Sequence, residues 1–252
     1  PRFRLRATAT VVVLRYWFWR VLETVPEPSF SIAFVVAGLL LAVETYSIMV
    51  FFLNAFVSAD PTRRPFPPQV TPDRLPTVDI LVPSYNEPSK NRIYPANKRT
   101  GVLCDDGGTD QRCSSSAPEG TAQARRRRTE LQALCAELGV KYSTRARNEH
   151  AKAGNMSAAL EDLTGDLVVV FDADHVPSRD FLARTVGYFV DDPKLYLVQT
   201  PHFFINQDPI QRNLQLSPKC PPENEMFYSQ IHRGLDRWGG AFFCGSAAVL
   251  RR

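Results

Sequence analysis

Asp172 and Asp174 stand two positions apart just beyond the apolar run Leu167-Val168-Val169-Val170-Phe171. Such a run reads as a strand covered on both faces, and parallel sheets place their ligands beyond the carboxyl ends of such strands. Residues two apart on a strand project from the same face. Two convergent carboxylates repel unless a cation lies between them. The economical occupant is a hard divalent metal held by carboxylate oxygens and a substrate phosphate. Phosphate or nucleotide chemistry is therefore the first functional expectation.

Other residues extend that chemistry, each beside a plainer reading. Asp105-Asp106-Gly107-Gly108 is either a tight turn or a loop whose glycines let backbone approach a nucleotide while Asp105 accepts from a base or ribose. Lys152, within Asn148-Glu149-His150-Ala151-Lys152-Ala153-Gly154-Asn155, is either solvated or pairs with a diphosphate at a helix start, where anions are already favoured. His175 reads as a supporting histidine, and His150 and His202 carry less signal. Cys244 is a buried thiol or part of a small-residue turn. Trp238-Gly239-Gly240 offers a platform on which a sugar ring stacks, and Tyr228 is core or the wall of the same groove.

Alternating strands and helices must position these groups. Val78–Pro83, Thr100–Cys104, Val140–Ser143, Leu167–Phe171 and Leu195–Thr200 read as strands, the third at an edge. Helical spacing covers Ala122–Leu138, Lys152–Leu163 and Phe181–Phe189, with Gly139 as a stop signal. This order predicts a mostly parallel α/β sheet with flanking helices, and three strand ends carry acids: Glu87, Asp105/Asp106 and Asp172/Asp174. The run Arg125–Arg128 reads as the solvated face of its helix. Without interleaved aromatics it gives no nucleic-acid signal.

Phe30–Val57 is apolar except for Glu44, Asn54 and a few hydroxyl residues, longer than the about 20 residues a bilayer core requires. Glu44 in mid-span should face protein. Ala7–Leu22, with its Tyr16-Trp17-Phe18-Trp19 cluster, is a second candidate span, whose Arg15 and Arg20 would have to snorkel. Arginines flank the pair at both ends, whereas the turn Glu23–Ser29 has two acids and no Lys or Arg. The positive-inside bias thus predicts a hairpin with both ends, and the remainder of the chain, in the cytoplasm. Residues 59–76 hold six prolines and three arginines and read as an extended linker. The expected organisation is a transmembrane helical hairpin over 1–58, the linker over 59–76 and a catalytic domain over 77–252. A net charge of +4 over 252 residues suits a protein beside an anionic membrane, and five cysteines without C-x-x-C spacing suit a reducing compartment. A start at Pro1 and a stop in Leu250-Arg251-Arg252 read as a fragment.

Taken in order, Ser84-Tyr85-Asn86-Glu87-Pro88, Asp105-Asp106-Gly107-Gly108-Thr109, His150-Ala151-Lys152-Ala153-Gly154-Asn155, Phe171-Asp172-Ala173-Asp174-His175, Gln199-Thr200-Pro201-His202-Phe203-Phe204 and Phe242-Phe243-Cys244-Gly245-Ser246 resemble the catalytic subunits of bacterial cellulose synthases. These are processive family-2 glycosyltransferases with a GT-A (Rossmann-like) fold. The resemblance spans nearly the whole chain. It implies UDP-glucose as donor, a growing β-1,4-glucan as acceptor, inversion, and Mg²⁺ or Mn²⁺ on the diphosphate. It implies that Tyr85, Glu87 and Asp105 hold the uridine, with Asp105 counted among the catalytic residues. Lys152 meets the diphosphate and Asp172 the nucleotide, and Asp174 is the main metal ligand with Asp172 beside it. His202, Tyr228 and the Phe242–Ser246 segment, Cys244 included, border the acceptor. It further implies a bacterial inner-membrane location, a cytoplasmic catalytic domain and a periplasmic partner subunit.

The resemblance also has gaps. The family's general base lies in a Thr-Glu-Asp motif expected beyond Arg252, and a helix's worth of sequence is missing near 88–99. The fragment is therefore expected to bind nucleotide without polymerising. Alternatives are a family-2 polymerase for chitin, hyaluronan or another β-glucan, and a non-catalytic membrane subunit. A phosphatase of the haloacid dehalogenase type is a further alternative, in which Asp172 would be the nucleophile.

Overall fold

The computed structural model describes residues 2–28, 31–84, 96–114, 118–204, 209–215 and 222–252. They form two compact units, one of residues 64–202 and 242–252 and the other of 1–63 and 203–241.

The first unit is built on a six-stranded sheet. Its strands are β1 (Val78–Ser84), β2 (Arg99–Asp105), β3 (Lys141–Ser143), β4 (Leu167–Val170), β5 (Leu197–Gln199) and β6 (Ala248–Arg251), in the order β3-β2-β1-β4-β6-β5. The first four run parallel, with Val78 opposite both Arg99 and Leu167. β4 is apolar throughout because both its faces are covered. Leu167 and Val169 pack with Val78, Val186, Phe189 and Val249, while Val168 and Val170 pack with Leu81, Val102, Ala159 and Leu163. The helices of this unit's described residues are α3 (Asp110–Ser114), α4 (Pro118–Leu138), α5 (Ala151–Glu161) and α6 (Val186–Asp191).

The sheet is mostly parallel, as expected, and three details are new. β6, a strand not expected, enters antiparallel between β4 and β5, and residues 248–251 give no alternation that would announce it. The helix expected over Phe181–Phe189 is confined to Val186–Asp191, and residues 179–185 form turns. The third concerns the paired carboxylates. β4 ends at Val170, so Asp172 and Asp174 sit in a turn closed by the His175 amide donating to the Asp172 carbonyl at 3.0 Å, and not on a strand face.

In the other unit lie α1 (Arg2–Glu23), α2 (Ile32–Val57), α7 (Pro209–Asn213), α8 (Glu223–Met226), a π-helical turn over Phe227–His232, and α9 (Arg233–Arg237). Ser31 caps α2 by accepting from the Phe34 amide at 3.2 Å. The contacts of α1 with α2 run antiparallel. Arg6 donates to the Ser58 carbonyl at 2.8 Å, Trp17 to Thr45 at 2.9 Å and Arg20 to Glu44 at 2.9 Å. Glu44 thus finds a guanidinium. Of the two helices expected to cross a membrane, α2 alone among the described residues is long and apolar enough; α1 carries five arginines. Trp238, expected as a sugar platform, stacks on Phe56 with ring centroids 5.0 Å apart.

Candidate active site

The β2 end turns sharply at Asp105-Asp106-Gly107-Gly108. The Asp105 carboxylate is fully buried, accepting from the Gly107 amide at 2.9 Å and from the Tyr142 hydroxyl at 2.7 Å. Gly108 is required there, since a Cβ would lie 2.8 Å from the Tyr142 oxygen and would strike the Asp105 carboxylate. Burial, and then the hydrogen bond and charge of Asp105, push the Tyr142 phenol well above its ordinary value. Arg127 approaches Asp105 to 3.9 Å, Arg128 pairs with Asp110 of α3 at 2.7 Å and Arg125 donates to the Cys113 carbonyl at 2.6 Å, so the arginine run is not simply a solvated face. Thr144 donates to the Asp105 carbonyl at 2.9 Å, pinning the loop to the chain after β3.

Asp106 takes a different partner. Its carboxylate is gripped by Arg145 at both oxygens, 2.8 and 3.0 Å, in a pair that is almost wholly buried. Beneath the loop, Asn155 of α5 donates to the Cys104 carbonyl at 2.9 Å. The Cys104 thiol is pushed up to about 12 by burial and then by the charge of Asp106, which keeps it protonated and unreactive.

Beyond β4, the Lys152 ammonium on the first turn of α5 pairs with Asp172 and donates to the Gly245 carbonyl at 2.7 Å. Burial opposes ionisation of Asp172. The hydrogen bonds from Lys152 and Ser246 and the charge of Lys152 outweigh it, holding the carboxyl below its usual range. His175 stands 3.8 Å from Asp172, and its ring meets that of His202 edge-on at 4.8 Å. His202 lies 3.0 Å from the Ser246 carbonyl, and burial lowers its pKa, which keeps it neutral at physiological pH. Gln199 ties the surrounding segment together: it donates to the Ser246 carbonyl at 2.8 Å and accepts from the Cys244 amide at 2.9 Å.

The structure therefore gathers Lys152, Asp172, Asp174, His175, His202 and the 244–246 segment at the β4 end, with Asp105 in the adjoining loop. Tyr85 and Glu87 lie outside the described residues. Tyr228 belongs to the other unit, in the π-helical turn, with its ring 5.0 Å from Phe227. Asp172, Asp174 and His175 bring one ligand atom each within 4.8 Å of one another. Two carboxylate oxygens suit Mg²⁺ or Mn²⁺, so the carboxylate donors fit a hard divalent ion, with the His175 nitrogen beside them. Sequence reasoning missed Tyr142 and Arg145, and it placed Gln199 only as the first residue of the motif that contains His202, without a role.

Comparison with known proteins places the chain among sugar transferases. The family profile "Glycosyl transferase family 2" matches residues 118–252. Cellulose synthase 1 of Komagataeibacter xylinus is 40% identical over 98% of this chain, which covers 15% of that protein. The UDP-forming cellulose synthase catalytic subunit of Xanthomonas axonopodis pv. citri is 40% identical over 96% of the chain, which covers 32% of it. The chain thus spans about a third or less of the curated relatives it matches. Among solved structures, a mannosyltransferase of Pyrobaculum calidifontis in complex with GDP-Man and Mn²⁺ aligns with a TM-score of 0.41 at 26% identity, over 64% of this chain and 45% of that one.

Proposed function

The chain belongs to the family-2 glycosyltransferases, and from that premise we propose that it carries the donor-binding part of a cellulose synthase, using UDP-glucose to extend a β-1,4-glucan with inversion. The observation that carries this reading is the cation–carboxylate cluster beyond β4, where Lys152 faces Asp172 beside Asp174 and His175. A lysine on the first turn of a helix next to a metal-ligand set is arranged for a sugar diphosphate.

In this mechanism Asp174 and Asp172, with His175 alongside, would hold Mg²⁺ or Mn²⁺. When bound, the ion would supply neutralisation of the charge that gathers on the departing UDP. Lys152 leaves Asp172 to meet the diphosphate. Asp105, buried and doubly hydrogen-bonded, acts by fixing the Gly107–Gly108 turn against which the uridine lies, with Tyr85 and Glu87 completing that end. His202, neutral and held by Ser246, borders the acceptor with the segment around Cys244. A base must take the acceptor hydroxyl's proton, and the family resemblance puts it beyond Arg252.

We read residues 77–252 as the catalytic domain, 59–76 as a linker and 1–58 as a membrane hairpin in a bacterial inner membrane. On this reading the catalytic domain is cytoplasmic, and a periplasmic partner subunit belongs to the same synthase. α2 supports membrane attachment by its length and apolar surface. The Arg20–Glu44 pair gives α1 a means of accompanying it.

Calorimetry tests the reading, with UDP-glucose and other UDP-sugars titrated with and without Mn²⁺. UDP-glucose is expected to bind in a Mn²⁺-dependent manner that Asp174→Asn abolishes. Absence of any UDP binding overturns the proposal. Purified residues 1–252 are expected to make no glucan, and detectable product would refute the placing of the base.

A further inference from the structure

Arg145 lies in the loop between β3 and α5, and nothing in its local sequence marks it. Its guanidinium holds both oxygens of Asp106, and it also donates to the Asn148 side chain at 2.9 Å, the Ala151 carbonyl at 2.9 Å and the Glu149 carbonyl. The loop is wrapped around one planar group. The wrapping imposes an unusual backbone: His150 and Ala151 adopt φ of 57° and 43°, in the left-handed region that side chains other than glycine seldom occupy. Such conformations persist only where the surroundings over-determine them. Gly154 shows how tight the wrapping is, since a Cβ there would stand 2.6 Å from an Arg145 nitrogen and collide with the Glu149 carbonyl.

The next residue after this turn is Lys152. We infer that Arg145 is a positioning residue for the transfer reaction: by clamping the turn 148–151 to Asp106 it sets the Lys152 backbone at the point from which the ammonium reaches the donor's diphosphate. The inference rests on the donor-binding reading above. Asp105 does not depend on the clamp, because Gly107 and Tyr142 hold its carboxylate separately. Loosening Arg145 should therefore act on the diphosphate end of the donor and spare the uridine end. A lysine cannot replace it, having one point charge and no planar fork to span the carboxylate and the carbonyls together.

The test is Arg145→Lys in the full chain, with the affinities for UDP and for uridine measured separately in Mn²⁺ and hydrogen exchange followed in the same samples. UDP affinity is expected to fall about tenfold, while uridine affinity changes by less than about twofold. Exchange is expected to quicken over residues 150–155 and not over 105–108. Asp106→Asn, which removes the same anchor with little change of shape, should reproduce the selective loss and serves if the lysine variant does not fold. Equal weakening of UDP and uridine means that Arg145 is merely structural and overturns the inference, as does unchanged UDP affinity. If the unaltered chain binds no UDP, the functional proposal and this inference fall together; if it binds UDP and the variants bind it equally well, this inference falls alone.

Discussion

Tyr142→Phe isolates one contact at the heart of the β2 loop. The substitution keeps the ring and removes the hydroxyl that donates to Asp105 at 2.7 Å. Asp105 is fully buried, and its other oxygen is occupied by the Gly107 amide. Arg127, at 3.9 Å, is too distant to hydrogen-bond in its place. A hydrogen bond to a charged group contributes about 1.5–3 kcal/mol, and a buried carboxylate oxygen left without its donor incurs a cost of that order. For a chain of this size about 2 kcal/mol corresponds to a fall in Tm of roughly 4–8 °C. The assay is thermal unfolding of both proteins at matched detergent and pH, repeated at increasing alkalinity. Because the phenol's pKa is raised on folding, its contribution is fully present below the unfolded value of about 10 and is lost as pH rises through the higher folded value. The gap between the wild type and the phenylalanine variant should therefore be widest near neutral pH and narrow above about pH 10. Equal Tm values at neutral pH, or a gap that widens with alkalinity, would refute the reasoning.

Two further outcomes follow from the same geometry. The Asp172 carboxyl is depressed by Lys152, so its contribution is present above the ordinary carboxylate range and lost as pH falls through the lower folded value; Lys152→Met should begin acid unfolding at a higher pH, read by a circular-dichroism titration. Gly165→Ala should destabilise the chain by about 1–3 kcal/mol in denaturant unfolding, because the new Cβ would lie 2.6 Å from the buried Asp79 carboxylate that accepts from the Gly165 amide.

The sequence announced those elements whose burial is local. Leu167–Val170 could be read as a covered strand because every residue of it is apolar, and the structure assigns alternate residues to the two faces. β6 could not be read this way. Ala248–Arg251 is short, and its role depends on partners in β4 and β5 about 50 to 80 positions earlier. The site divides along the same line. Asp105, Lys152 and Asp172 carry side chains whose chemistry is visible in isolation, and the structure sets Lys152 on Asp172. The groups that hold them, Tyr142 and Arg145, are common residues that gain meaning only from contacts 37 and 39 positions away. The error over Asp172 and Asp174 is of another kind. The apolar run does form a strand, but it ends at Val170, one residue before Phe171, and the carboxylates converge through a turn.

The insertion of β6 between β4 and β5 also determines when the site can exist. Among the described residues β5 pairs in the sheet with β6 alone, so it joins once residues 248–251 arrive. Closing a pairing such as Leu167 with Arg251 is a long-range event, slow relative to local helix formation. The same C-terminal segment supplies the Gly245, Ser246 and Ala247 carbonyls that receive Lys152, Gln199 and Thr200. During synthesis β1 to β4 can assemble early, while the Lys152–Asp172 cluster stays open on one side. The Lys152–Asp172 cluster is thus closed in the step that adds β6 to the edge of β4, with β5 following.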